Sequence, residues 1–290
     1  MKDGSIRTNP PRAMREEIAD VIGEPDDTVQ LVKLKREGAA DIAIVNFGTH
    51  PDVLGGKGIC PDWPAYLRNT LEAALADEAD GKGVKVVFFN GAQGDMVHLD
   101  QRLELRRFGV EQSRHMGRAL AGAVLSVYTF AEPISSDKVF YKQNMTQAAL
   151  AKGTPEEVAI AKEIDAKFLR DEDISDCPFN ITLTRKYLRN ENEPEIVDLN
   201  VVCVGFGDIA FIGLPGEPFV AIGNAIKAGS PFKMTIPCCN ANGSAGYFPT
   251  DDALVSNGYE SASSPFKPGI ADNMINTSLR TLNEVKEELK

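Results

Sequence analysis

Apolar and polar residues alternate along VQLVKLKR (29–36), and a period of two predicts a strand with one buried face. DIAIVNF (41–47) predicts a second strand, and the short EGAAD link between them predicts a hairpin. From Asp62 the period changes to that of a helix, carried by Trp63, Tyr66, Leu67, Leu71 and Leu75. Asp62 is placed to cap the free N–H groups of this helix, and Pro64 fits its first turn. VKVVFF (84–89) is a continuous apolar run, the pattern of a strand covered on both faces, and a helix is predicted over about 110–128.

VFYKQNMTQAAL (139–150) begins as a strand, and Thr154 with Glu157 forms a capping box that opens a helix running to about residue 170. Residues 171–195 are polar and irregular and predict an exposed excursion or hairpin. IVDLNVVCVG and DIAFIGL predict two strands joined tightly at Gly205–Gly207. PFVAIGNAIKAG predicts a helix with Pro218 at its start and Gly229 as its stop, KMTIPCCN a strand, and the last twenty residues an amphipathic helix. The alternation implies one α/β domain over 1–290, a mixed β-sheet flanked by helices. His50, Asp95 and Glu217 each follow an apolar strand, so the active site is expected at the carboxyl edge of the strands.

A net charge of −11 argues against a nucleic-acid or anionic-membrane footprint. No run reaches the roughly 18 apolar residues that span a bilayer. The first twenty residues lack an apolar signal core, and the five cysteines are odd in number and irregularly spaced. Adjacent Cys238 and Cys239 would bridge only with strain, so reduced thiols and a cytoplasmic location are expected.

The chain has three histidines, and two of them, His50 in NFGTHP and His98 in NGAQGDMVHLD, lie in strand-end segments. Glu217 in GLPGEPF and Tyr247 in NGSAGYFPT lie in similar segments, and an imidazole, carboxylate and phenolate set suits a catalytic zinc. Each has a plainer reading. His50 could cap a strand end, Glu217 could favour a helix N-terminus, Tyr247 could be a core or rim aromatic, Asp95 could hold a turn, and His98 could be structural. His115 sits in a helical pattern and reads as structural. NGAQGD lacks the spacings of dinucleotide and phosphate loops, and GDMVH is not HExxH.

MKDGSIRTNP, VNFGTHPDVLGG, NGAQGDMVHLD, GLPGEPFVAIGNAIK and NANGSAGYFPTDDALVSNGYE, taken in order, resemble the blocks of the neutral/alkaline non-lysosomal ceramidase family, and most of all its uncharacterised bacterial relatives. The resemblance extends over essentially the whole chain. It implies the latter portion of a catalytic domain that binds one zinc and hydrolyses the amide bond of ceramide. It further implies that His50, Glu217 and Tyr247 are zinc ligands and that Tyr259 stabilises the transition state. Two departures stand out. The upstream HTHSGP-like block that carries the family's first zinc histidine is absent, so the chain resembles one that starts partway into the domain, which would leave secretion open. Val97 stands where ceramidases carry a nucleophilic serine, with His98 next to it. The expected enzyme is therefore a zinc-dependent hydrolase that cleaves an amide, in a lipid or a small molecule, through metal-activated water. His98 is expected as fourth ligand or acid–base group, and Asp95 as the carboxylate that orients a ligand histidine. The alternative is a degenerate member that binds without turnover.

Overall fold

The structure, a computed structural model, describes residues 1–100, 108–136, 138–256 and 258–290. In chain order the first half carries β1 (Gln30–Leu34), β2 (Asp41–Phe47), α1 (Asp62–Ala74), the short turn α2 (Glu78–Gly81), β3 (Val84–Asn90) and α3 (Val110–Tyr128). The second carries β4 (Val139–Ala149), α4 (Pro155–Leu169), α5 (Ile181–Asn190), β5 (Ile196–Phe206), β6 (Ile209–Gly213), β7 (Glu217–Pro218) and α6 (Val220–Gly229). It ends with β8 (Met234–Cys238), β9 (Tyr247–Phe248), α7 (Asp251–Val255), α8 (Tyr259–Ser263) and α9 (Ile270–Glu288). The mixed α/β class expected from the alternation holds. Its strands are divided between two main sheets and a two-stranded pair.

The first sheet has the order β1-β2-β3. β1 and β2 form the expected antiparallel hairpin, and β3 runs parallel to β2 after the crossover through α1. Its inner face sets Ala43, Val45, Val84 and Val86 against Trp63, Leu67 and Leu71 of α1 and Ala121 and Val124 of α3. Removing these side chains from water supplies the drive for this half. Asp62 serves the start of α1 as expected: its carboxylate accepts the Trp63 N–H at 2.6 Å, the Leu54 N–H at 2.9 Å and the Ser113 hydroxyl at 2.7 Å. One expectation fails. β3 is fully covered on one face only: on the other, Phe89 lies edge-on to Phe211 of the second sheet with ring centroids 5.9 Å apart, but Val87 and Phe89 stay 40% and 39% exposed.

α1 and α3 cross closely at Gly117. A β-carbon there would sit 2.5 Å from the Trp63 carbonyl oxygen and 2.5 Å from Tyr66 Cβ. Gly117→Ala must therefore push the helices apart, and a loss of about 1–3 kcal/mol is expected in urea unfolding. An unchanged midpoint would disprove the close crossing.

The second sheet has the order β4-β5-β6-β8. β5 and β6 form the expected tight hairpin, while β6 and β8 are parallel, joined through α6. Val201, Cys203, Ala210 and Ile212 pack against Ile222 and Ile226 of α6 and Met274, Leu282 and Val285 of α9. The opposite faces of both sheets meet in a third cluster, with Val32 from β1 against Ile209, Phe211, Ile236 and Cys238. The layers thus run helices, sheet, sheet, helices. The open edge of β8 is closed by side chains: Asn46 Nδ2 donates to the Pro237 carbonyl at 3.0 Å and Gln30 Nε2 to that of Thr235 at 3.0 Å.

The Thr154–Glu157 capping box forms as expected and opens α4. The segment 171–195, expected to be irregular, contains helix α5. Asn180 caps it by accepting the Leu183 N–H at 2.9 Å, and the helix buries only Thr184 and Asn190, which is why its apolar period is invisible. Among the described residues no helix is long and apolar enough to cross a membrane, and all five cysteines are free.

Candidate functional site

Two parallel strand pairs, β2/β3 and β6/β8, end side by side, because the Cys239 N–H donates to the Asn90 carbonyl at 3.0 Å. Loops leaving four strands are thereby delivered to one edge, as open α/β sheets do at their ligand sites. His50 follows β2, Asp95 and Met96 follow β3, Glu217 follows β6 and Tyr247 follows β8. The last two are then locked together. β7 and β9 form a miniature parallel ladder in which Glu217 stands opposite Tyr247. The Glu217 N–H donates to the Gly246 carbonyl at 2.9 Å and the Phe219 N–H to that of Phe248 at 3.1 Å. Register partners in a ladder project to the same side, so carboxylate and phenol face one space.

His50 enters that space from the first sheet. Its Nε2 lies 3.1 Å from Glu217 Oε2 and 3.4 Å from the Tyr247 hydroxyl. The Met96 carbonyl can only accept, so the 3.0 Å contact at Nδ1 fixes a proton there and leaves Nε2 for the site. The main chain of His50 is pinned as well, its N–H to the Met96 carbonyl at 2.9 Å and its carbonyl by Trp63 Nε1 at 3.2 Å. Burial lowers the imidazole pKa, but the bonds to Glu217 and Met96 and the charge of Glu217 outweigh it, leaving the value above the ordinary 6.5. A raised value means that the pair contributes stability below the ordinary histidine range, and that this contribution is lost as pH rises through the folded-state value. Burial first, then the charge of Glu217, pushes the Tyr247 phenol well above its ordinary range, so it rests protonated and can donate.

Of the other expected residues, Tyr259 touches the triple point through Tyr247, whereas Asp95 and His98 are engaged with other partners. Tyr259 opens α8, is 54% exposed, and packs edge-on to Tyr247 with ring centroids 6.3 Å apart. Asp95 accepts the Val220 N–H at 2.7 Å, so it holds the N-terminus of α6, the part that the plainer reading had given to Glu217. Although Asp95 is exposed at the surface, protein packed around its carboxyl raises the pKa of that group against the lowering effect of this bond. His98 Nδ1 meets Asp52 Oδ1 at 2.9 Å, with the imidazole out of solvent and edge-on to Phe108. His115 is exposed on α3. Asp52, Met96 and Trp63 were not picked out as site residues. The His50-Pro51-Asp52 spacing was a signal for Asp52, whereas the Met96 contact uses a backbone carbonyl and leaves no trace in residue type.

Among the described residues no group of three or more His, Cys, Asp and Glu side chains could hold a metal ion. The triple point supplies two of those types and a phenol. An imidazole with its far nitrogen fixed by a carbonyl, beside a carboxylate, is a donor pair that fits zinc, and the phenol oxygen adds a third donor.

The fold has relatives among solved structures. The chain superimposes on the crystal structure of neutral ceramidase from Pseudomonas aeruginosa with a TM-score of 0.60 at 16% identity, covering 85% of this chain and 44% of that one. A ceramidase complexed with C2 matches with a TM-score of 0.60 at 14% identity, covering 85% and 46%. The chain thus has a ceramidase-like fold and spans less than half the length of either neighbour. No family model and no curated protein sequence matches it.

Proposed function

We propose that the chain is a zinc-dependent hydrolase of amide bonds, acting on a ceramide-like N-acyl lipid or another amide. The observation that carries this reading is the convergence of His50 Nε2, Glu217 Oε2 and the Tyr247 hydroxyl at one point beyond the strand ends. These three residues would hold the metal. When bound, zinc polarises a carbonyl and activates water at neutral pH. The Met96 carbonyl keeps the His50 proton on Nδ1, so Nε2 stays directed inward. Tyr259, at the exposed side of Tyr247, takes the role of donor to the carbonyl oxygen as it gains charge. His98 is assigned the proton transfers, because Asp52 orients its ring as a carboxylate orients a catalytic imidazole. Val97 has no group that attacks or donates, which favours water over a side-chain nucleophile.

A second reading, a member that binds ligand without turnover, is favoured by the small donor set, two side chains of the usual ligand types and a phenol. Zinc content of the purified chain, with hydrolysis of a short-chain N-acyl sphingosine, separates the two. Stoichiometric zinc and turnover, both lost in His50→Ala, are expected. Zinc without turnover on this or simpler amides favours the second reading, and a cooperatively folded chain that takes up no zinc overturns the metal site.

A further inference from the structure

Several lysines on this acidic surface are matched by a carboxylate: Lys142 with Glu288, Lys162 with Glu191, Lys227 with Asp26, Lys233 with Glu132 and Lys286 with Asp208. The end of α5 is different. Lys186 is half-buried and Arg189 exposed one turn on, and the charge that acts on Lys186 is the like charge of Arg189. Loss of solvent, then Arg189, lowers the lysine pKa. Among the described residues neither cation has a hydrogen bond or an ion pair. The helix end that carries Arg189 is fixed against the site. Asn190 Nδ2 donates to the Pro265 carbonyl at 3.0 Å, and the neighbouring Ser264 hydroxyl donates to the Tyr247 carbonyl at 2.9 Å. A side-chain carbon at Gly246 would lie 4.0 Å from Arg189 Nη2, and Gly246 is the residue whose carbonyl holds Glu217.

We propose that Lys186 and Arg189 form an anion subsite beside the triple point, one that takes a carboxylate or phosphate group of the molecule whose amide lies at His50. Two cations held together without a counter-charge in a chain of net charge −11 are relieved by an anionic ligand. A guanidinium presents paired N–H donors that match carboxylate and phosphate oxygens, and a neighbouring ammonium adds a point charge. The proposal rests on the hydrolase reading only in placing the amide.

The test is isothermal titration of the whole chain with three probes that share one acyl chain: N-lauroylglycine, N-lauroylethanolamine phosphate and neutral N-lauroylethanolamine. At least one anionic probe is expected to bind about tenfold tighter than the neutral one. The tighter of the two identifies carboxylate or phosphate as the group taken. That advantage is lost in Arg189→Gln and in Lys186→Gln and kept in Arg185→Gln, whose guanidinium stacks over Phe168 instead. Equal affinities, no binding by any probe, or an advantage that persists in Arg189→Gln overturns the subsite. The same titration on His50→Ala separates the two ideas. An advantage that survives there supports the subsite whether or not the chain hydrolyses amides, whereas zinc and turnover with no anionic advantage overturn the subsite alone.

Discussion

Trp63→Ala is expected to lower the unfolding free energy by about 3–5 kcal/mol, the range for emptying a fully buried indole site. Trp63 is 0% exposed and lies edge-on to Phe47 and Phe88, with ring centroids at 6.5 and 4.9 Å. It is thus the hub between α1 and the inner face of the first sheet. It also donates from Nε1 to the His50 carbonyl. Trp63→Phe separates the two roles. Phenylalanine keeps much of the apolar contact but leaves that carbonyl without its donor, so a smaller stability loss should come with weaker zinc uptake. Urea unfolding of both variants, with zinc titration of the refolded proteins, measures this. If Trp63→Ala unfolds within 1 kcal/mol of the unchanged chain, on the order of what a surface change costs, the packing described around α1 is wrong.

Gly94→Ala is expected to weaken the proposed zinc binding and hydrolysis on the order of a hundredfold, the scale on which a displacement of about 1 Å is felt at a catalytic centre. The reason is backbone contact. A β-carbon on Gly94 would stand 2.5 Å from the Glu217 carbonyl oxygen and 3.0 Å from the Pro218 carbonyl carbon, and the Gly94 N–H already donates to the Pro218 carbonyl at 2.8 Å. Main chain cannot rotate away as a side-chain tip can, so the segment that bears Glu217 must move. Gly122→Ala is the matched control, since nothing lies within 4 Å of its added carbon. The informative comparison is zinc affinity in the two variants at equal fold stability. Equal affinity would show that Glu217 is not positioned by the Gly94 loop.

Elements with a strong period were legible in the sequence. β2 appears with the limits read from DIAIVNF, and α3 over the stretch predicted at about 110–128. That His50 and Glu217 would both emerge at strand ends was also legible, because each follows an apolar strand. Three things were not. α5 is amphipathic around charged side chains rather than apolar ones, so a reading based on buried faces passes over it. β3 has the composition of a doubly covered strand, but coverage depends on what lies across from it, and a run of valines and phenylalanines does not encode that. β7 and β9 are two residues each, too short for any period, yet their pairing aligns Glu217 with Tyr247.

The seam between the sheets gives the site a mechanical character. His50 and Met96 hang from the first half of the chain, Glu217 and Tyr247 from the second, and the Asn90–Cys239 hydrogen bond fastens the two beside them. A rotation of one half against the other acts on the Nε2–Oε2 contact as well as on the apolar cluster that joins the two sheets. The triple point therefore works as a gauge of registry between the halves, and a cation bound across it would act as a rivet, coupling their unfolding into a single event.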